Sequence, residues 1–190
     1  MQIVTTRLEG VLLVRPAVHG DERGFFAETY REDALADAGV TTRWVQDNHS
    51  RSARGVLRGL HFQTHPGQEK LVRCARGSIF DAVVDIRRGS PTFGQWEGFV
   101  LDDRTLHALY VPVGFAHGFY VQSDVADVVY KCSNYYDPST EAGFAWDDPD
   151  VRVGWPTDDV QVSHRDAEAP RLHDIADGLP FTYAGPPPAR

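Results

Sequence analysis

Short apolar segments of strand length, separated by Gly, Pro and Asp turns and almost free of helical periodicity, predict an all-β chain. About eight such segments in succession predict two packed antiparallel sheets, most simply a jelly roll, a β-sandwich carrying a few short helices. The 190 residues fit one domain, and a hydrophobic fraction of 42% suffices for its core.

An apolar run at Gly10–Arg15 comes first, and the turn Gly20-Asp21-Glu22-Arg23-Gly24 leads into a strand at Phe25–Tyr30. One helical stretch, Arg31–Ala38, is closed by Gly39. Strands follow at Arg43–Ser50, Gly55–Gln63, Glu69–Arg76 and Ile79–Arg87. Four more read at Trp96–Leu101, Leu106–Pro112, Phe115–Gln122 and Val125–Asn134. Turn residues part several of them, as in His65-Pro66-Gly67, Gly77-Ser78, Gly89-Ser90-Pro91 and Ser123-Asp124. After Tyr136 the chain turns rich in Asp, Pro and Trp, which predicts ordered loop wrapping the sandwich, with a helical turn near Asp174–Gly178. The domain is expected to span residues 1–183. The Pro-rich end, 184–190, cannot pair in a sheet and is expected to be disordered.

A formal net charge of −8 argues against a nucleic-acid partner, because phosphate backbones bind basic surfaces. A phosphorylated small molecule needs only a few cations in a pocket. No segment is long and apolar enough for a membrane span, and the N-terminus lacks the pattern of a signal peptide, so a cytoplasmic protein with no membrane partner is expected. The two cysteines, Cys74 and Cys132, sit in apolar strand-like runs and read as core residues. Lys70 and Lys131 are the two lysines in a chain that otherwise uses arginine.

Two stretches carry the chemistry. In Gly55-Val-Leu-Arg58-Gly59-Leu-His61-Phe-Gln63, alternation puts His61 and Gln63 on one face. Arg58 falls on the other face unless the strand bulges at Gly59. Pro112-Val-Gly114-Phe-Ala-His117 is the second histidine-bearing strand. Together they resemble the signature stretches of cupin-type jelly rolls, whose metal-binding members carry two histidines one residue apart. Here Gln63 stands at the second position, and an amide is a weak ligand, so no metal is expected. Proton abstraction beside a ketone needs a base, a charge to hold the enolate and an acid on the opposite face. His61, a cation such as Lys70 or Arg58, and Tyr130 are of the right types. Asp81 and Asp85 share a face of their strand, and Asp81 is a candidate support for His117.

Asp47-Asn-His-Ser50 followed by Gly55–Gln63 resembles the dTDP-4-dehydrorhamnose 3,5-epimerase family. So do Phe80-Asp81 through Arg87, Gly89-Ser-Pro-Thr-Phe-Gly94, Pro112-x-Gly-x-Ala-His-Gly-Phe119, Tyr130-x-Cys-Ser-x-x-Tyr136-x-Pro138, Trp155-Pro156 and Ser163-x-x-Asp166, collinear over roughly residues 8–175. The resemblance implies a cofactor-free epimerase acting at C3 and C5 of dTDP-4-keto-6-deoxyglucose. It implies His61 as base, Asp166 as its carboxylate partner, Tyr130 as acid and Lys70 near the ketone oxygen. It also implies that Gln46, Asn48, Arg58, His117, Tyr136, Glu141 and Arg165 contact the dTDP-4-keto-6-deoxyhexose substrate. Arg23, Phe26 and Glu28 match a segment that reaches the partner's site in a homodimer. The alternatives are a single-centre epimerase of an antibiotic deoxysugar pathway, a metal-dependent cupin using His61, His65, Glu69 and His117, and a non-catalytic sugar-binding jelly roll.

Overall fold

The computed structural model describes residues 1–185; residues 186–190 of the expected tail lie outside the described residues. The strands begin as β1 (Gln2–Thr5), β2 (Leu12–Arg15), β3 (Val18–Asp21), β4 (Gly24–Ala27), β5 (Gln46–Ala53), β6 (Leu57–Gln63) and β7 (Lys70–Arg76). They continue as β8 (Ser78–Asp85), β9 (Trp96–Asp102), β10 (Ala108–Val111), β11 (Phe115–Val121), β12 (Val125–Cys132) and β13 (Glu141–Gly143). A six-stranded sheet has the order β1-β2-β10-β7-β12-β5, a five-stranded sheet the order β13-β6-β11-β8-β9, and β3 pairs with β4 as a separate hairpin. All these pairings are antiparallel, and the fold is a cupin-type jelly roll.

The period-2 pattern of the strands decides what lies between the sheets. Val72 and Cys74 of β7, Ala126 and Val128 of β12, Ile79 and Val83 of β8, and Phe115 and Phe119 of β11 meet there as the main core. The same inward faces turn polar towards one end of the sandwich. Cys74 and Val72 are followed by Lys70 along β7; Ala126 and Val128 by Tyr130 along β12; Ile79 by Asp81 along β8. That polar end forms the cleft described below.

Each sheet also buries its outer face. The short helix α1 (Glu32–Asp37) and its flanks lay Leu35 and Val40 on Val14, Leu71 and Tyr110. The segment after β13 covers Leu60, Phe62, Val84 and Ile86 with Phe144, Val151, Leu172, Leu179 and Phe181. Two short helices lie in that segment, α2 (His164–Ala167) and α3 (Leu172–Ile175), followed by a 3₁₀ turn at Ala176–Gly178 where a helical turn was expected. Asp148, 1% exposed, ties the segment down by accepting from the backbone N–H groups of Asp150, Val151 and Leu172.

Several boundaries differ from the sequence expectation. β1, β3 and β13 were not foreseen: three or four residues give too short a window for periodicity to register, and the turn expected over Gly20–Gly24 narrows to Glu22 and Arg23 because Gly20 and Asp21 pair in β3. The strand expected over Arg43–Ser50 starts at Gln46 and runs on to Ala53, because it pairs along the whole of β12. The strand expected over Phe25–Tyr30 stops at Ala27, opposite Val18, where its partner β3 begins. Asp81 and Asp85 are fully buried. Arg87, Ser90 and Thr92 surround the Asp85 carboxylate; burial opposes its ionisation, but their hydrogen bonds hold it below the usual aspartate range.

β6 carries the irregularity that the sequence required. Register pairs His61 with His117 and Arg58 with Phe119, so Gly59 and Leu60 oppose the single residue Gly118. Gly59 has φ +131°, and a Cβ there would stand 2.5 Å from the Gly118 Cα. Only glycine meets both conditions. Gly59→Ala should therefore destabilise the fold by about 2–4 kcal/mol. Gly178→Ala, at a site with open space and no positive φ, should stay within about 0.5 kcal/mol of wild type. Denaturant midpoints at constant slope check the contrast.

Candidate active site

The polar end of the sandwich encloses a cleft of about 480 Å³. The bulge turns Arg58 inward alongside His61, and both border this cleft. Arg58 Nε reaches across to Ser52 Oγ on β5, 3.1 Å away. The conflict between Arg58 and His61 in strict alternation is thus resolved at Gly59.

His61 Nε2 lies 2.6 Å from Asp166 Oδ1. Asp166 comes from α2, whose N-cap, Ser163, accepts from the Asp166 N–H through Oγ at 3.1 Å. Burial opposes ionisation of Asp166. Its contacts with His61, the Ser163 hydroxyl and the Gly59 N–H outweigh burial and hold its pKa below the ordinary value. With Nε2 occupied by Asp166, Nδ1 is the imidazole nitrogen left to accept a proton.

Lys70 borders the cleft from the first position of β7, with no hydrogen-bond or carboxylate partner among the described residues. Desolvation lowers its pKa, against the opposing pull of Cys132, Glu141 and Asp81. Tyr130 borders the cleft from β12; burial raises its pKa, and Cys132 and Glu141 add to the rise while Arg58 and Asn48 oppose it. His117 is buried and its Nε2 lies 2.8 Å from Asp81 Oδ2, the contact expected of Asp81.

Glu141 of β13 receives Tyr136 Oη–H at 2.6 Å and Arg165 Nη1–H at 2.5 Å on the same oxygen. Burial opposes ionisation of Glu141, and these two donors reverse it, so its pKa is lowered. Gln46 connects β5 to this group, accepting from the Tyr136 N–H and donating to Asn48 Oδ1. Arg23, Phe26 and Glu28 do not line this cleft. Arg23 and Phe26 lie on the exposed β3–β4 hairpin, and Glu28 follows it. The possible metal donors do not converge: His65 is exposed on a turn, Glu69 is taken by Tyr110 and Thr42, and His117 by Asp81. No three His, Cys, Asp or Glu side chains gather as a metal site among the described residues.

Sequence reasoning missed Ser50, Phe119 and Val162, which also line the cleft. Ser50 was reachable, since it follows Gln46 and Asn48 at the same period-2 spacing on β5. Val162 lies in a segment with no such regularity.

Fold and cleft together define a jelly-roll enzyme of the cupin type whose site is built for acid–base chemistry. A family model described as dTDP-4-dehydrorhamnose 3,5-epimerase matches residues 5–174. The chain belongs to this family and is an enzyme of that kind. It is 46% identical to the dTDP-4-dehydrorhamnose 3,5-epimerase of Methanothermobacter thermautotrophicus, covering 87% of this chain and 91% of that one. It is 45% identical to a dTDP-4-dehydrorhamnose 3-epimerase of Streptomyces niveus, covering 97% and 90%. Among solved structures it is similar to the Legionella pneumophila dTDP-6-deoxy-D-glucose-3,5-epimerase in complex with dTDP-4-keto-L-rhamnose. That match has a TM-score of 0.93 at 45% identity, over 97% of this chain and 99% of that one. No helix among the described residues is long and apolar enough to cross a membrane.

The depressed Asp166 pKa fixes the sign of a pH effect. Its stabilising contribution is complete above the unfolded-state pKa and is lost as pH falls through the lower folded value. Asp166→Asn should be less stable than wild type above about pH 4, and the gap should close in more acid solution. Urea unfolding at stepped pH measures it; a gap independent of pH would put the effect elsewhere.

Proposed function

We propose that the enzyme inverts C3 and C5 of dTDP-4-keto-6-deoxyglucose by removing and returning a proton beside the 4-keto group. Both carbons flank the ketone, so one base and one acid serve both. The proton leaves a carbon and another returns to it, with no net oxidation, so the reaction calls for no cofactor. The observation that carries this reading is the His61–Asp166 contact of 2.6 Å facing the same cleft as Lys70 and Tyr130.

His61 takes the proton through Nδ1, and the Asp166 carboxylate stabilises the imidazolium that forms, a charge-assisted bond worth about 1.5–3 kcal/mol. The unpaired ammonium of Lys70 meets the enolate oxygen, where electrostatic stabilisation in a water-poor site is strongest. Tyr130 delivers a proton to the opposite face. Arg58 and Arg165 supply cations for the diphosphate. Gln46, Asn48, His117, Tyr136 and Glu141 orient the nucleotide and sugar.

The same reading includes a homodimer in which Arg23, Phe26 and Glu28 complete the partner's site. In support, Phe25 and Phe26 stand 62% and 72% exposed on the two faces of the β3–β4 hairpin, apolar surface that a partner subunit would cover. The similarity to a relative named as a 3-epimerase favours one competing reading, inversion at C3 alone.

Turnover in heavy water decides between them. Two carbon-bound deuterons per product are expected; one would establish a single-centre enzyme, and none would end the epimerase reading. His61→Ala should lower kcat by about 10²–10⁴-fold and abolish uptake at both carbons. For the shared site, inactive Arg23→Ala and His61→Ala subunits are mixed and exchanged. Half of the resulting dimers then hold one intact site of two, so about a quarter of wild-type activity should return. A mixture as inactive as its parents would show that each site is built from one chain.

A further inference from the structure

The β3–β4 hairpin stands clear of the sandwich, and every residue from Ala17 to Phe26 is exposed. Its polar contacts are internal, as between Arg23 and Asp21, or reach no further than Arg31, which pairs with Glu28 at 4.0 Å. Among the described residues, no hydrogen bond or ion pair ties residues 17–28 to either sheet. The direction of the hairpin is therefore set at its two roots, one at the end of β2 and the other at Thr29 and Tyr30. The second root is lightly seated. Tyr30 packs with Leu12 and Trp44 against the α1 cluster, but Thr29 and Tyr30 also border a cavity of about 250 Å³ over Leu71, Arg73 and Val129. Lys131, the lysine that the proposed reaction does not use, holds this root. Its Nζ lies 5.2 Å from the centre of the Tyr30 ring and 3.0 Å and 3.2 Å from the two Asp47 oxygens. Asp47 stands opposite Lys131 in the register of β5 and β12. Alternation turns Lys131 to the outer face of the sheet, while its neighbour Tyr130 borders the cleft.

We infer that Lys131 is a positioning residue acting across the dimer: by clamping Tyr30, it aims its own chain's hairpin at the partner's reaction cleft. The inference rests on the homodimer reading above, in which Arg23, Phe26 and Glu28 complete the partner's site. The ammonium is drawn to the face of the Tyr30 ring, and the Asp47 carboxylate fixes the ammonium in turn. From Tyr30 to Arg23 the chain is seven residues, up to about 23 Å when extended. A turn of about 5° at the root then moves the tip by about 2 Å. A misplacement of about 1 Å is enough to cost about 10²-fold in rate. A weak clamp at the root thus has a large effect at the far end of the lever. Neither Lys131 nor Asp47 borders the cleft of its own chain, so their loss is felt in the other subunit.

The test uses the mixed dimer of Arg23→Ala and His61→Ala chains, whose one intact site takes His61 from the first chain and its hairpin from the second. Lys131→Met keeps the stem and removes the charge. On the His61→Ala chain it disturbs the hairpin that serves the intact site, and kcat/KM should fall about tenfold below the parent mixture. On the Arg23→Ala chain it lies next to the Tyr130 of the intact site, but its hairpin serves the disabled one. There kcat/KM should stay within about twofold of the parent mixture. Lys131→Arg on the His61→Ala chain keeps a cation over the ring and should also stay within about twofold. Asp47→Asn, which frees the ammonium, should give the same one-sided loss and keeps the test decisive if Lys131→Met does not fold. Equal loss in both placements, the mark of a merely structural role, would overturn the inference. So would loss confined to the Arg23→Ala chain, or no loss in either. A parent mixture that regains no activity would instead defeat the shared-site reading, and the inference with it.

Discussion

Gly59 and Gly118 meet back to back where β6 crosses β11, and the cleft depends on that contact. Two residues of β6 face one of β11, which shifts the side-chain alternation by one position. Without the shift, Arg58 would point out of the sandwich and His61 into it. With it, a guanidinium and an imidazole share one wall. Neither glycine has room for a methyl group against the other: a Cβ on Gly118 would stand 2.8 Å from the Arg58 carbonyl oxygen.

The inter-sheet space does two jobs because its lining changes along the strands. Its apolar end supplies cohesion through Val72, Val128, Phe115 and their neighbours. Its other end presents groups of opposite tendency. Burial disfavours charge on Lys70 and Tyr130 alike, lowering one pKa and raising the other. Asp166 and Glu141 remain biased towards the ionised form because hydrogen-bond donors outweigh their burial.

Much of the fold could be read from the sequence because strand patterning, turns and burial agree. Of the strands that border the cleft, β5, β6, β7, β11 and β12 were foreseen, as was the need for a bulge at Gly59. Ser163 to Asp166 reads as a hydroxyl-capped turn, and the structure makes it the N-cap of α2. Less was legible where geometry is set from a distance. β13 exists because Glu141–Gly143 lies along the edge of β6, and no local pattern in three residues announces that. Val162 joins the cleft through chain return, which spacing along the sequence does not encode. The exposure of Phe25 and Phe26 is likewise a property of packing, whereas their apolar character is plain in the sequence.

The carboxylate paired with His61 is supplied by α2, after every strand of both sheets has been made. The segment bearing it also seals the outer face of the β6 sheet and is anchored by Asp148. During synthesis, then, the barrel-like body and its imidazole emerge from the ribosome well before the charge that equips that imidazole. A chain interrupted in between would hold His61 without its carboxylate partner and would leave Leu60 and Phe62 uncovered. Assembly of the His61–Asp166 pair is thus coupled to completion of the hydrophobic seal, and an unfinished copy lacks both.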